Sequence, residues 1–147
     1  MHVEDVMTPS PQCASPETNI RDVAKMMVDC DCGEIPVVDD DEKPVGVITD
    51  RDIACRVVAQ GKDPMRTRVG DAMSSPVVTV TPEMDLEECC RLMEEKQIRR
   101  IPVVDDNGAC CGIVSQADIA LRADTAEAGT LVRDVSRPPG DTMGAPH

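Results

Sequence analysis

Apolar residues recur along this chain with two periods, and the switch between them marks out its elements. Leu86, Cys89, Cys90 and Met93 stand at helical spacing and form one stripe. Asp85 stands where an N-cap belongs, with Glu88 three residues on as a capping-box partner. Ile20, Val23, Ala24 and Met27 make the same stripe behind caps at Asn19 and Asp22. Two short β-rich runs follow each stripe. In the second half they are Ile101 to Val104 and Cys110 to Val114, joined by Asp105-Asp106-Asn107-Gly108, whose Asn-Gly is a strong hairpin signal. In the first half the chain turns instead through Asp39 to Pro44. A further β-rich run, Pro76 to Val80, is broken by Thr81-Pro82-Glu83 ahead of the later stripe. Closing helices are predicted at 50–60 and 116–123. Each half therefore reads β-α-β-β-α.

The halves are copies of one another. Ile35-Pro36-Val37-Val38-Asp39-Asp40 recurs unchanged as Ile101-Pro102-Val103-Val104-Asp105-Asp106, 66 residues later. Asp52-Ile53-Ala54 recurs at the same offset as Asp118-Ile119-Ala120, and Met7 matches Met73. The repeat divides the chain into residues 1–66, residues 67–122 and a tail, 123–147. In the tail a helix is predicted at 125–135, stopped by Arg137-Pro138-Pro139-Gly140, with disorder beyond. A unit of roughly 60 residues would be marginal alone. The expected fold is therefore α/β: two units related by a pseudo-twofold axis, their sheets packed together and their helices outside.

Gly46-Val47-Ile48-Thr49-Asp50-Arg51-Asp52 and Gly112-Ile113-Val114-Ser115-Gln116-Ala117-Asp118 occupy the same place in each copy. A strand ends and a helix begins there. Free N–H groups at a helix start favour anions. The hydroxyl of Thr49 or Ser115 suits a phosphate, and the carboxylate of Asp52 or Asp118 suits a ribose diol. The same Ser/Thr-x-x-Asp spacing is close to a capping box. Spacing alone leaves both roles open, and they are compatible.

Composition narrows the chemistry. The chain has 147 residues, 41% hydrophobic and 29% charged, which reads as globular. Its formal net charge of -13 argues against nucleic acid and against an anionic membrane surface as partners. Phe, Trp and Tyr are absent, so nothing aromatic stacks on a base, and His2 and His147 stand near the chain ends. A site built on a buried His, catalytic or metal-binding, is not expected. The opening Met1-His2-Val3-Glu4-Asp5 is unlike a signal peptide, and no apolar run is long enough for a membrane span. The expectation is a cytoplasmic protein whose eight cysteines are reduced and act as small apolar side chains.

The IPVVDD strand, its turn, and the Gly–apolar–apolar–Ser/Thr–x–x–Asp–Ile motif, all in tandem, resemble a pair of CBS domains, named for cystathionine β-synthase. Val3-Glu4-Asp5-Val6-Met7-Thr8 and Val69-Gly70-Asp71-Ala72-Met73-Ser74 fit the usual opening of each domain. The likeness covers about 1–122 and is greatest to small stand-alone bacterial pairs of the hypoxic response type. It implies a regulatory module without enzymatic activity or required cofactor. Its ligand would be AMP, ADP or ATP, or else NAD or S-adenosylmethionine, lying between the domains. Thr49 with Asp52 and Ser115 with Asp118 would hold ribose and phosphate. The surroundings of Ile35-Pro36 and Ile101-Pro102 would sandwich adenine.

Arg99 and Arg100 stand at the family's basic, phosphate-facing position. The first copy has Gly33 and Glu34 there, which weakens its half, with Arg51 expected to compensate. The resemblance also implies a disc-like homodimer, using helical residues such as Ile53, Val57 and Val58, and an effector protein downstream. Two other readings remain: a structural dimerisation module with degenerate pockets, and a redox or metal-binding protein using Cys30 and Cys32. Asp29, Asp31 and Glu34 surround those two thiols and argue against reactivity.

Overall fold

The structure is a computed structural model that describes residues 1–75 and 77–122. The helix expected at 125–135 and the tail beyond it lie outside the described residues. In order, the chain forms β1 (Thr8–Pro9), α1 (Ile20–Cys30), β2 (Glu34–Val38), β3 (Pro44–Thr49) and α2 (Asp50–Ile53). The second copy supplies α3 (Leu86–Lys96), β4 (Arg100–Val104), β5 (Cys110–Ser115) and α4 (Gln116–Arg122). Single 3-10 turns sit at Val3–Asp5 and Val69–Asp71.

The hairpins repeat pair for pair. In β2–β3, Glu34 faces Thr49, Ile35 faces Ile48 and Pro36 faces Val47. In β4–β5, Arg100 faces Ser115, Ile101 faces Val114 and Pro102 faces Ile113. Both carry an irregularity at the end of the IPVV run, where an aspartate folds the turn. Asp39 Oδ1 accepts from the N–H groups of Asp41 and Lys43, and Asp105 Oδ1 from those of Asn107 and Ala109. The left-handed position that Gly108 fills at φ 82° is taken in the first copy by Glu42 at φ 64°.

The opening segment of each copy belongs to the other copy. β1 pairs with β5, Thr8 against Ile113. In the reverse direction Ser74 bridges Val47. The Met1 carbonyl accepts the N–H of Leu86, and the Thr67 carbonyl that of Ile20, so each segment closes the first turn of the other copy's helix. Val3 and Val6 are fully buried with Leu86, Met93, Ile101 and Val114, while Val69 and Ala72 sit with Ile20, Val23, Ile35 and Ile48. The repeat in the sequence and the packed unit thus have different membership. The exchange is reciprocal, which makes the relation between the units a pseudo-twofold. The two sheets, β1-β5-β4 and β2-β3, meet with β2 near β5 and β3 near β4. Val47 and Ile113 are buried but in neither core, as are their cross-strand partners Pro36 and Pro102.

Three sequence expectations need correcting. The run Pro76 to Val80 is not a strand: among its described residues only Val80 bonds a strand, in a one-residue parallel bridge to Val103. Prolines at 76 and 82 lack the N–H groups a ladder requires and frame the run too closely. Asp85 makes no side-chain cap; the Leu86 N–H is accepted by the Met1 carbonyl instead of being left free at the helix start. The helix expected at 50–60 is α2 continued by one wider π turn at Ala54–Val58. On that segment Val57 is fully buried and Ile53 packs against the first core, leaving only Val58 exposed as expected.

The glycines at the crossing points are where two chains approach most closely. A Cβ on Gly46 would meet Met73 Sδ at 2.7 Å and the Ser74 carbonyl oxygen at 2.9 Å. On Gly112 it would meet Met7 Sδ at 2.6 Å and the Thr8 carbonyl oxygen at 3.2 Å. A methionine tip can move, but a backbone carbonyl held in a bridge moves only with its segment. Gly46→Ala should therefore cost about 1–3 kcal/mol of stability, and Gly112→Ala less. Urea unfolding followed by far-UV circular dichroism checks this; equal, negligible losses would mean the opening segments are not held as described.

Candidate functional site

Both hydroxyl–carboxylate motifs lie where the second hairpin strand passes into a helix. At the first, Thr49 Oγ1 accepts from the Asp52 N–H at 3.1 Å, and Asp52 Oδ2 accepts from the Thr49 N–H at 3.0 Å. At the second, Ser115 Oγ accepts from the Asp118 N–H at 3.0 Å and Asp118 Oδ2 from the Ser115 N–H at 3.1 Å. Each is a complete capping box. The first turn of α2 holds few free donors: the N–H groups of Asp50 and Arg51 are accepted by the Gly33 carbonyl and by Asp50 Oδ1. An anion at that helix start would have to displace these, which corrects the expectation of free N–H groups in the first copy.

The carboxylates differ in their surroundings. Asp52 is buried; the Ser74 hydroxyl donates to it at 3.3 Å, and Arg56 Nε lies 4.0 Å away. Arg56 also donates to the Ala72 and Met73 carbonyls, so it ties the exchanged segment to the motif. Neither Ser74 nor Arg56 was singled out in the sequence. The repeat held the signal, because Thr8 and Arg122 occupy the matching positions. Asp118 is only half-buried.

Between the two motifs stands an ion pair. Arg100 Nε donates to Glu34 Oε2 at 2.9 Å, with 34% of the Arg100 side chain and 18% of the Glu34 side chain exposed. These residues are equivalents in the repeat, so their contact places them at the pseudo-twofold axis. Glu34 lies opposite Thr49 and Arg100 opposite Ser115. The motifs therefore stand on either side of the pair. This corrects the expectation that Arg100 stands ready for phosphate: the carboxylate of the first copy already neutralises it. Arg99 is half-buried and its carbonyl accepts the Gln116 N–H. Arg51 is exposed and forms no ion pair among the described residues. Ile35 and Ile101 are not at the cleft surface; their side chains lie in the two cores, 1% and 0% exposed. Pro36 and Pro102 are buried on the opposite face of their strands.

The cysteines depart from expectation at one place. Cys30 and Cys32 form a disulfide, where reduced thiols were expected. Cys89 is fully buried, and burial pushes its thiol up to about 11. The Cys110 thiol donates to the Gly112 carbonyl and the Cys13 thiol to the Pro11 carbonyl; the interaction between the two thiols lowers Cys13 and, with burial, raises Cys110. Among the described residues no three His, Cys, Asp or Glu are placed to hold a metal ion, and no helix is long and apolar enough to cross a membrane.

Known proteins resemble this chain in sequence and fold. The family model for the CBS domain matches residues 3–58 and again 69–123. An uncharacterized protein of Methanopyrus kandleri is 43% identical over 78% of this chain, and the match spans 56% of that protein's length. The CBS domain-containing protein YhcV of Bacillus subtilis is 40% identical over 91% of this chain and 94% of its own. Among solved structures, Hypoxic Response Protein I with two coordinated zinc ions is 31% identical, with a TM-score of 0.76 over 84% of this chain and 100% of that one. The CBS domain pair of protein MJ0100, in complex with 5'-methylthioadenosine and S-adenosyl-L-methionine, is 30% identical, with a TM-score of 0.74 over 82% and 94%. CBSX2 in complex with AMP is 29% identical, with a TM-score of 0.69 over 82% and 93%.

The unequal surroundings of the two aspartates have a stability consequence. Asp52→Ala removes the hydrogen bond from the exposed Ser74 hydroxyl and the nearby Arg56 charge as well as the cap, at a cost of about 1–2 kcal/mol. Asp118→Ala removes a cap alone, worth about 1 kcal/mol. Denaturant midpoints of the two variants without ligand check the order; a larger loss at Asp118 would contradict it.

Proposed function

Because the chain belongs to the CBS domain family, we propose that it is a regulatory module that binds an adenosine-containing ligand in the cleft between its two units. The supporting observation is the meeting of the two hydroxyl–carboxylate motifs across the Glu34–Arg100 pair. A carboxylate that can exchange its cap bond for a ribose diol, with a hydroxyl beside it, recurs on both sides. Solved relatives hold AMP, or 5'-methylthioadenosine with S-adenosylmethionine.

The second half is the better phosphate site. There Ser115 and Asp118 hold the ribose, and Arg99 and Arg100 lie toward phosphate. The first half, with Thr49 and Asp52, carries Asp50 where the second has Gln116, and Glu34 where the second has Arg100. Each added carboxylate repels a polyphosphate on a chain already at net charge -13. Adenine rests on the backbone at the starts of β2 and β4, since Ile35 and Ile101 are turned into the cores. AMP or ADP therefore fits better than ATP, with NAD and S-adenosylmethionine as further ligands of the same chemistry. The module passes its ligand state to an effector protein. A second copy of the chain is the other partner: Val28 on α1 is 79% exposed and Val58 65%, an apolar surface that pairing would cover.

Calorimetric titration with AMP tests the reading. Asp118→Ala should weaken binding roughly ten- to hundredfold, the value of about 1.5–3 kcal/mol for a hydrogen bond to a charged group, and Asp52→Ala less. Glu34→Gln should release Arg100 and tighten AMP. If AMP, ADP, ATP, NAD and S-adenosylmethionine all fail to bind the intact protein, the ligand reading falls and a structural dimerisation module takes its place. Sedimentation at low micromolar concentration should give twice the chain mass; a clean monomer would remove the second copy from the scheme.

A further inference from the structure

We propose that Cys30 and Cys32 form a reversible dithiol–disulfide site whose state is transmitted to the cleft through the first residues of β2. The bond joins the last residue of α1 to the residue two positions on. Between them Asp31 takes the left-handed conformation at φ 52°, and the chain is already turned there by backbone bonds from Asp31 N–H to the Val28 carbonyl and from Cys32 N–H to the Met27 carbonyl. A bridge across so short a loop removes little freedom from the unfolded chain, so it serves poorly as a structural staple. It is also accessible. Cys30 is exposed, and Cys32 helps line an open depression of about 500 Å³ with Met27, Val28, Asp31, Gly33 and Asp50.

The route to the cleft is two residues long. Gly33, next to Cys32, accepts the Asp50 N–H at the start of α2, and Glu34 holds Arg100. The Asp50 side chain also lies over Gly33, its Oδ2 2.9 Å from where a Cβ would stand. A change in the Cys30–Cys32 ring therefore moves the carbonyl that fixes α2 and the carboxylate that neutralises Arg100.

The chemistry is a two-electron exchange with an external dithiol. One thiolate of the dithiol attacks a ring sulphur and breaks the Cys30–Cys32 bond, giving a mixed disulfide and one protein thiol. The second thiolate of the dithiol then displaces the other protein sulphur. The dithiol ends as its disulfide, and both electrons and both protons end on Cys30 and Cys32. An oxidised dithiol runs the sequence backward. Asp29 and Asp31 flank Cys30 in the chain, and their negative charge disfavours thiolate leaving groups and slows attack by anionic monothiols. A dithiol, whose second step is intramolecular, is the fitting reductant.

The test equilibrates the full-length chain with defined ratios of reduced and oxidised dithiothreitol, then traps thiols by alkylation for peptide mass spectrometry. Cys30 and Cys32 should be protected together under oxidising ratios and become alkylated together in one two-electron step. AMP affinity should differ at least threefold between the two forms, and the Cys30→Ser/Cys32→Ser double variant should show no such difference. Alkylation of both residues at every ratio, or equal affinities, would overturn the proposal. The coupling to binding rests on the ligand reading above, so a second readout separates the two. If AMP binds neither form, that reading fails, and amide exchange at Glu34 and Asp50 decides the coupling: slower exchange in the oxidised chain supports it, and equal exchange overturns it.

Discussion

The reciprocal exchange of opening segments is the constraint on which the rest of the molecule depends. Neither copy can complete its core from its own residues. Val3 and Val6 cross to the second core, and Val69 and Ala72 cross to the first. Full burial of one valine side chain contributes about 1.5–3 kcal/mol, so a copy deprived of its partner's segment loses much of what holds a unit of this size together. The same segments supply the carbonyls that close the first turns of α1 and α3, and Ser74 of one segment donates to Asp52 of the other copy's motif. Fold, helix starts and candidate site are coupled by one crossing of the chain.

The exchange also explains why the cleft has an axis and why that axis is charged. Two copies held by mutual insertion bring equivalent residues face to face, and the residues that meet are Glu34 and Arg100. A twofold with identical residues there would set like charges together. Opposite charges settle the contact and at the same time make the halves unequal, with Asp50 and Glu34 on one side and Gln116 and Arg100 on the other. The asymmetry is thus a property of the packing as well as of ligand preference. The ion pair is partly exposed, so its contribution to stability is modest, and its weight falls on what it does to an arriving phosphate.

Much of this was legible because the sequence repeats. The stripes Ile20-Val23-Met27 and Leu86-Cys89-Cys90-Met93 are buried as their spacing indicates, and the two hairpins keep one register. Periodicity reports local faces, however, and the features it could not reach are long-range. The exchange joins Met1 to Leu86, far apart in the chain, and no local pattern announces it. Asp85 stands at the N-cap position by spacing yet makes no side-chain cap, and the bond that does reach that helix start comes from Met1. Val57, expected among the residues of a homodimer face, is instead taken with Ile53 into the first core. Glu34 reads in the sequence as a carboxylate beside the site, and no local pattern shows that its partner is Arg100, 66 residues away. The motif was legible as either a cap or a ligand site, and the structure shows the cap geometry complete at both positions.

Diffraction from the protein co-crystallised with AMP would test most directly whether that capped motif is also a binding site. Density for the nucleotide is expected in the cleft beside the junction of β5 and α4. Its ribose hydroxyls should lie within hydrogen-bond distance of the Asp118 carboxylate and its phosphate near Arg99 and Arg100, with Arg100 turned away from Glu34. An unliganded cleft at saturating AMP, with the Glu34–Arg100 pair intact and both capping boxes closed, would contradict the proposal and leave the repeated motif as a helix cap alone.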